Sequence, residues 1–294
     1  MILVAGATGT LGSRIVRRLR ARNLAVRVLT RDPGRAAHLL EYGLEVVVGD
    51  LRNVASLQRA AVGAETIVAA AHGFTATDGN SPHTIDRLGN RHLVDAAGGV
   101  GAAVVLLSVV GASPSSPIEL FRAKHDAEEY ARGSDVPTTV VRATAFMETW
   151  MGILGEPLRS GGRALVFGRG QNPINFVSAD AVAALVERAI IDPSLRGQTV
   201  EIGGPSNVTL TEFAALLAER AGRPGAPRRI PRPVLRAMSV LLGRFKPSFA
   251  GQARAAVVMD TCDMTFDASP LWQRFPELPN VDVRQLLAGE SVGS

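Results

Sequence analysis

The sequence predicts an α/β protein built on a doubly wound parallel sheet, followed by a smaller C-terminal region. Short apolar, β-branched runs alternate with helix-length segments, which is the pattern of a parallel sheet covered by helices on both faces. The runs are hydrophobic almost throughout, as expected for strands buried on both sides. A glycine-rich segment, Gly6–Gly12, lies between the first run and a helix. Together these three observations determine the predicted fold class.

Apolar runs with β-branched residues are predicted to be strands, and the first six of them are predicted to form the sheet. The runs are Ile2–Ala5, Ala25–Leu29, Glu45–Val48, Thr66–Ala71, Ala103–Leu107, Thr138–Val141, Asn175–Val177 and Thr199–Ile202. Most are separated by segments long enough for a helix, and such crossovers join parallel strands.

Helices are predicted where apolar residues recur at helical spacing. They are expected at Gly12–Arg22, Pro33–Tyr42, Val54–Ala61, Thr84–Ala97, Pro117–Arg132, Ser178–Ile191, Leu210–Ala221 and Val234–Leu242. The helix Pro117–Arg132 has the clearest start, because Ser116 is a candidate N-cap and Glu119 completes a capping box. Between Ala143 and Gly170 the alternation loosens, and no regular element is predicted there.

The composition favours an ordinary cytoplasmic protein that binds neither nucleic acid nor metal. The chain is 46% hydrophobic and 20% charged, and no apolar run approaches the roughly 18–20 residues of a membrane span. The net charge of +5 includes five arginines on the first helix. Leu11, Ile15 and Leu19 give that helix a buried face, so its arginines are expected on the solvated side. The single Cys262 and the spacing of the histidines indicate no metal site.

The glycine segment predicts a dinucleotide-binding site of the Rossmann type. Gly6 permits a tight turn, Gly9 lets the backbone approach phosphate, and Gly12 lets the helix pack closely on the strand. The helix N-terminus presents N–H groups and a positive dipole to the pyrophosphate. The spacing is G-x-x-G-x-x-G rather than G-x-G-x-x-G, and the strand–loop–helix context makes it specific. The predicted contacts are Gly6, Thr8, Gly9, Thr10, Leu11 and Gly12.

The end of the second strand bears on the choice between NADP and NAD. An arginine there favours the 2′-phosphate of NADP, whereas an acidic residue binds the ribose hydroxyls of NAD. Arg31 comes first and suits a phosphate as a bidentate donor, which favours NADP with NAD as the alternative. Asp32 either accepts from the ribose or caps the helix that begins at Pro33. After the third strand, Asp50 and Leu51 are placed to meet the adenine, with Asp50 as a helix cap the competing interpretation.

These motifs resemble those of the atypical, NmrA-like branch of the short-chain dehydrogenase/reductase superfamily, over most of residues 1–205. The likeness is carried by Ala5–Gly9, Leu29–Arg31, Gly49–Leu51, Ser108–Ala112, the helix that holds Lys124, Val141–Glu148 and Asn175–Ala183. The resemblance implies a Rossmann fold and an NAD(P) cofactor.

The expected organisation is an NAD(P)-binding domain at residues 1–205 and a smaller substrate-binding region at residues 206–294. Residues 146–174 are expected to contribute to the substrate pocket. The large apolar side chains of this segment include Phe146, Met147, Trp150 and Met151. They either line that pocket or belong to an ordinary core, and the sequence leaves both interpretations open.

The best-known members of the superfamily use a Tyr-x-x-x-Lys pair on the helix after the fifth strand, with a serine at the end of that strand. Here Lys124 matches the lysine and Ser108 approximately matches the serine, but Leu120 occupies the tyrosine position. Tyr130 lies six residues beyond Lys124 and cannot replace the missing tyrosine at that spacing. The resemblance therefore implies cofactor binding without the usual tyrosine-based proton relay.

Lys124, Ser108 and His72 are the catalytic candidates. Lys124 lies on a mostly apolar helical stripe, and three roles are open to it. It binds the hydroxyls of the nicotinamide ribose, or it exchanges a proton with substrate when desolvated. In the third interpretation its stem covers the core and its ammonium group lies in water. The family offers a precedent for the proton-transfer role. His72 and Ala71 follow the fourth strand at the edge where such sheets bind ligands, so both are expected at the cofactor. His72 also suits proton transfer near neutral pH, with water or backbone as its only partners in the alternative.

The sequence favours an NAD(P)H-dependent oxidoreductase acting on a small apolar carbonyl, quinone or enone, with that small molecule as its partner. Because the usual tyrosine is absent, turnover itself stays open. The alternative is a redox sensor or regulatory protein that binds NAD(P) and a protein partner without catalysis. An accessory role beside a membrane complex is a third hypothesis, supported only by the apolar helix Val234–Leu242.

Overall fold

The computed structural model describes residues 1–36, 43–74, 79–243 and 247–289. The chain divides into two compact units. The first comprises Met1–Arg142 and Val182–Glu201, and the second comprises Ala143–Ala181 and Ile202–Ser294.

The first unit is built on a seven-stranded sheet. The strands of the described chain are β1 (Ile2–Ala5), β2 (Val26–Thr30), β3 (Glu45–Val48), β4 (Thr66–Ala69), β5 (Ala103–Val109), β6 (Thr138–Ala143), β7 (Ala145–Phe146), β8 (Leu165–Phe167), β9 (Pro173–Val177), β10 (Thr199–Ile202), β11 (Asn207–Thr209) and β12 (Arg228–Ile230). The order in the large sheet is β10-β6-β5-β4-β1-β2-β3. β1 pairs in parallel with β2 and β4, and these pair in parallel with β3 and β5. The predicted α/β fold class is confirmed.

The strand order reverses between β1 and β4, because the chain first runs outward from β1 to β3 and then returns to the other side of β1. Doubly wound sheets bind ligands at the carboxyl ends of the strands beside such a reversal. The fold therefore places the loops after β1, β2, β3 and β4 at the expected site.

Helices cover the sheet and build much of the second unit. In the described residues they are α1 (Thr10–Ala21), α2 (Val54–Ala61), α3 (Asn90–Gly98), α4 (Glu119–Arg132), α5 (Met147–Arg159), α6 (Ala179–Ile191), α7 (Leu210–Arg220), α8 (Arg232–Leu241), α9 (Pro247–Met259), α10 (Ser269–Arg274) and α11 (Val283–Ala288). Pro33–Ala36 and Pro193–Leu195 are 3-10 turns, and Pro82–Gly89 is π-helical. No helix of this set is long and apolar enough to cross a membrane.

Several predicted helix starts differ from the structure. α1 and α8 each begin two residues before the prediction, at Thr10 and Arg232, and two further helices differ in how they start. α4 begins at Glu119 with Ile118 as its N-cap, because the Ser116 hydroxyl accepts the Ile118 N–H at 3.2 Å and forms a local turn. The predicted helix Thr84–Ala97 starts earlier, where Ser81 and Thr84 form a capping box, and it is π-helical before α3 begins. For the predicted helix Pro33–Tyr42, the first turn is 3-10, and residues 37–42 lie outside the described residues.

The sequence analysis also missed the C-terminal helices α9, α10 and α11, and the longer helix α5. Two glycines and Pro157 lower its intrinsic helix propensity. Burial of Met147, Leu154 and Leu158 in the core of the second unit outweighs that cost. In the same core, Trp150 packs edge-on against Phe167 and Phe176, with ring centroids 6.3 and 6.2 Å apart.

Candidate functional site

Backbone atoms, rather than side chains, shape the loop between β1 and α1. Gly6 has a φ of +90°, and a Cβ there would lie 2.6 Å from the backbone nitrogen of Ala71. A Cβ on Gly12 would lie 2.1 Å from the carbonyl oxygen of Gly6. Gly9 is the N-cap of α1, and no described side chain caps this helix. The loop therefore presents backbone N–H groups to a ligand, as pyrophosphate binding requires.

The loop borders a cavity of about 440 Å³ within the first unit. Seven of the predicted contact residues line it, namely Gly6, Thr8, Arg31, Asp50, Leu51, Ala71 and His72. The other predicted loop residues are Gly9 and the first residues of α1, Thr10, Leu11 and Gly12. Among the residues the structure describes, the lining does not include Ser108 or Lys124. Loops from four neighbouring strands thus form one recess large enough for part of a dinucleotide.

Arg31 lies exposed at this cavity, and its Nη1 donates to Oδ1 of Asn80 at 2.9 Å. The neighbouring Asp32 has a different task, because its Oδ1 accepts the Gly34 N–H at 2.9 Å and caps the turn Pro33–Ala36. Of the two roles considered for Asp32, the structure shows the cap. Both residues line the cavity, and the arginine is the member of the pair whose charge can meet a phosphate.

Asp50 is held by Arg52, whose Nη2 lies 2.5 Å from Oδ2 of the carboxylate. That bond, together with the charge of Arg31, keeps the pKa of Asp50 below its ordinary value. The proposal that Asp50 caps the next helix is wrong, because Asn53 is the N-cap of α2 and its Oδ1 accepts the Ser56 N–H. Asp50 therefore lines the cavity as one half of an ion pair.

His72 follows β4 and is exposed at the cavity. The protein packed around its ring lowers the pKa of the imidazole below 6.5; Asp86 opposes this shift and Lys124 adds to it. The next residue, Gly73, donates its N–H to Oδ2 of Asp86 at 2.8 Å. His72 is therefore neutral near pH 7 and lies on a backbone that Asp86 holds in place.

Lys124 is buried rather than extended into water. Its residue is 4% exposed, its Nζ donates to the carbonyl oxygen of Leu107 at 2.7 Å, and Oδ1 of Asp86 lies 3.0 Å away. The prediction that Lys124 shares an apolar stripe holds, since Ala127 and Ala131 on the same stripe are buried as well. The alternative of a solvated ammonium head is wrong, because the group is buried between a carbonyl oxygen that accepts its hydrogen bond and the carboxylate of Asp86.

Ser108 belongs to a second buried group. Its hydroxyl donates to Oε1 of Glu128, whose carboxylate also accepts from Arg142 at 3.0 and 2.6 Å. These bonds, followed by those to Glu201, raise the pKa of Arg142 above its ordinary value. Because a hydroxyl has a single hydrogen to donate, Ser108 can offer a substrate only its oxygen lone pairs while this bond persists.

Sequence reasoning missed Asn80, Arg52, Asp86 and Glu128. Glu128 had a visible signal, because it lies four residues after Lys124 and so shares its side of the helix. Asp86 had none, since its partner Lys124 is distant in sequence and no motif contains it. The tyrosine position, Leu120, is half-buried. No group of described His, Cys, Asp or Glu side chains forms a potential metal site.

Comparison with known proteins adds sequence and structural relatives. The profile of the NmrA-like family matches residues 1–254. An NAD(P)H azoreductase of Xenophilus azovorans is 27% identical over 272 residues, covering 92% of this chain and 87% of that protein. The photosystem II assembly factor Ycf39 of Synechocystis is 26% identical over 279 residues, covering 93% and 85%. An Escherichia coli NADPH-dependent quinone oxidoreductase, solved with NADPH, has a TM-score of 0.78 at 20% identity, over 98% and 99% of the two chains.

Proposed function

This chain belongs to the NmrA-like family, as its motifs predicted, and we propose that it is an NADPH-dependent oxidoreductase that reduces a small, mainly apolar quinone, enone or carbonyl. The observation that carries the proposal is the 440 Å³ cavity, which joins the glycine loop, Arg31 and His72. At one edge of the sheet, the cavity brings together a loop for the pyrophosphate, an arginine for the 2′-phosphate and a titratable imidazole.

The residues present fit an NADP cofactor. The glycine loop and the first turn of α1 would hold the pyrophosphate, since a Cβ at Gly6 or Gly12 would collide with backbone. Arg31 would bind the 2′-phosphate, exchanging or sharing its bond to Asn80. Asp50 and Leu51 would border the adenine. NAD stays the alternative cofactor, and the names of the azoreductase and the quinone oxidoreductase support NAD(P)H and NADPH.

The proposed reaction transfers a hydride and one further proton to the acceptor. The bound nicotinamide supplies a hydride, and a quinone that accepts it must also take a proton to become a hydroquinone. His72 is the leading donor, because it lines the cavity; it donates as the imidazolium, whose share near pH 7 is reduced by the lowered pKa. Lys124 and Ser108 are proposed to act on the reaction indirectly, because both contact buried carboxylates and neither is among the described residues that line the cavity. An azoreductase and a quinone oxidoreductase among the relatives support a conjugated acceptor.

The test is NADPH oxidation, followed by absorbance, with a panel of quinones, enones, aldehydes and azo dyes. We expect turnover with at least one conjugated acceptor, and a preference for NADPH over NADH. His72→Gln should lower kcat more than it changes the KM for NADPH, while the exposed Arg17→Ala serves as the matched control. Tight NADPH binding without oxidation by any acceptor would contradict the enzyme, and absence of NADPH binding would also remove the cofactor site.

A second candidate is a redox sensor or assembly protein that binds the cofactor without turning it over. One observation favours it: with Leu120 in the tyrosine position, the remaining Ser108 and Lys124 are both engaged by other protein groups. The similarity to Ycf39 supports the same direction. This candidate predicts NADPH binding, no acceptor-dependent oxidation, and a protein partner whose affinity for the chain differs between the oxidised and reduced cofactor.

A further inference from the structure

Lys124 and Ser108, which match the lysine and the serine of the superfamily, each contact a different buried carboxylate. Lys124 faces Asp86, and Ser108 donates to Glu128. Asp86 is 0% exposed and Glu128 is 1% exposed. Glu128 has an arginine as its counter-charge, so its burial is explained by that pair. Asp86 is paired with Lys124 instead, and this pair bears more directly on the proposed reaction, because Lys124 is one of the catalytic candidates.

The choice of lysine at this position is itself notable in so arginine-rich a chain. Lysine and arginine together number 32, and only two of these are lysines, Lys124 and Lys246. Lys246 lies outside the described residues, whereas Lys124 lies on α4 with its ammonium group between Leu107 and Asp86. A lysine offers a compact charge whose proton can be lost when it is desolvated, unlike the guanidinium of arginine.

Asp86 joins three segments of the first unit. It lies in the π-helical segment Pro82–Gly89, and its Oδ1 is 3.0 Å from the Nζ of Lys124. Its Oδ2 accepts the N–H of Gly73, the residue after His72. Gly73 is tightly enclosed, because a Cβ there would lie 2.2 Å from the carbonyl oxygen of Ser81. One carboxylate thus connects α4, the π-helical segment and the loop that carries His72.

Stability alone does not account for this arrangement. A buried ion pair loses so much hydration that apolar residues of similar volume often give an equal or more stable protein. A π-helical turn is also a costly alternative to regular helix, and such turns are frequent at functional sites. Asp86 therefore combines two features that favour a role beyond packing, and both lie next to a residue of the cavity, Ile85.

We propose that Asp86 is a positioning residue of this site: its carboxylate holds the ammonium group of Lys124 in place and fixes the peptide that carries His72. The proposal rests on the proposed function. His72 after β4 is the titratable group that interacts electrostatically with both Asp86 and Lys124. The same elements also carry Glu128 and Asp126 on α4, and Arg87 on the π-helical segment. Of these, Arg87 and Asp126 pair with each other at 3.1 Å and are partly exposed.

This surface pair provides a matched control. Asp86→Asn keeps the shape and an acceptor for Gly73 but removes the charge that faces Lys124. Asp126→Asn removes a carboxylate that joins the same two helices through Arg87. If the role of Asp86 is merely to hold the helices together, the two variants should behave alike. If it positions Lys124 electrostatically, only Asp86→Asn should alter the titration of the lysine.

The first measurement is independent of turnover. Protein labelled with ¹³C at the lysine Cε should give two resonances, which Lys246→Arg assigns. In Asp86→Asn, the resonance of Lys124 should titrate at a lower pH than in the wild type, because an opposite charge has been removed from beside a buried cation. It should not move in Asp126→Asn. An equal titration of Lys124 in all three proteins would overturn the proposal even if the chain is an enzyme.

The second measurement uses the proposed activity. In Asp86→Asn, the alkaline limb of the kcat/KM profile should move to lower pH. The kcat should fall about tenfold or more, while the KM for NADPH changes little. Asp86→Glu should recover part of the kcat. An unchanged profile in an active Asp86→Asn protein would overturn the proposal. Where no acceptor is turned over, the proposed function fails and the lysine titration still decides the role of Asp86.

Should Asp86→Asn fail to fold, the double variant Asp86→Asn/Lys124→Met decides. It removes both charges, so the proposal requires it to be more stable than Asp86→Asn, because the single variant leaves an uncompensated ammonium group in the interior. Equal instability of the two variants would show that Asp86 acts by packing alone and would overturn the proposal.

Discussion

Two parts of the first unit illustrate different ways of building a site. The glycine loop between β1 and α1 acts through backbone shape, and its constraints are steric contacts among neighbouring residues. The charge cluster consists of two separate groups, Asp86 with Lys124, and Glu128 with Ser108 and Arg142. It acts through side chains that the fold brings together. The difference teaches that cofactor binding is locally encoded here, whereas the environment of the catalytic candidates depends on the whole sheet. Four predictions separate the two.

The largest effect should come from Gly12→Ala. Its Cβ would meet the carbonyl oxygen of Gly6 at 2.1 Å, so strand and helix must separate, costing about 3 kcal/mol of unfolding free energy and abolishing measurable NADPH binding. At Gly9 the nearest atom would be 3.4 Å away, so Gly9→Ala should fold normally and lose only affinity. Urea unfolding and NADPH fluorescence titration measure the two effects, and equal unfolding free energies for the two variants would contradict this steric account.

The second largest effect concerns the charge cluster. Glu128→Gln should lower the unfolding free energy by about 3 kcal/mol, because it leaves Arg142 partly buried without its main counter-charge. The exposed pair Glu156–Arg159 is the control, and Glu156→Gln should cost less than about 0.5 kcal/mol. Urea unfolding compares them. A similar cost for both would mean that the cluster contributes no more than a surface ion pair.

Arg31→Ala should affect the cofactor rather than the fold. Loss of a charge-assisted contact to the 2′-phosphate should weaken NADPH binding roughly 10- to 100-fold and leave NADH binding nearly unchanged. The exposed Arg17, on the solvated side of α1, is the control for a general loss of positive charge. Fluorescence titrations with both cofactors provide the measurement, and a parallel loss of NADPH and NADH affinity would show that Arg31 does not read the 2′-phosphate.

The smallest effect should be a pH dependence from His72. Its pKa is below 6.5 in the folded protein, so between that pKa and 6.5 the unfolded chain binds more protons than the folded chain. The free energy of unfolding should therefore be constant above 6.5 and fall as pH falls through the folded pKa. His72→Gln should reduce this fall, measured by urea unfolding at about pH 7.5 and 5.5, and the exposed His83→Gln should not.

Much of the sheet followed from the sequence. β1, β3 and β10 have the predicted bounds, and the other predicted strands differ by a few residues at their ends. Burial on both faces explains β1, whose four residues are all buried, but not the edge strand β3, whose end residues are exposed. Local hydrogen bonding was harder to foresee. Ser116 and Asp50 are both of a residue type that caps helices and lie just before a predicted helix, yet the N-cap positions are occupied by Ile118 and Asn53. Such choices depend on competing turns that differ little in free energy.

The sequence by itself determined the α/β class, the family and the phosphate loop, and it indicated Arg31 as the contact to NADP. The predicted phosphate loop rests on residues within one strand–turn–helix unit, where spacing and steric limits act directly, whereas the class and the family rest on motifs spread over residues 1–205. Only the tertiary structure decided that Lys124 is enclosed by Leu107 and Asp86, and that the Ser108 hydroxyl donates to Glu128. The physical reason is that a buried charge requires a counter-charge from whichever segment the fold places beside it, and no local pattern specifies that segment.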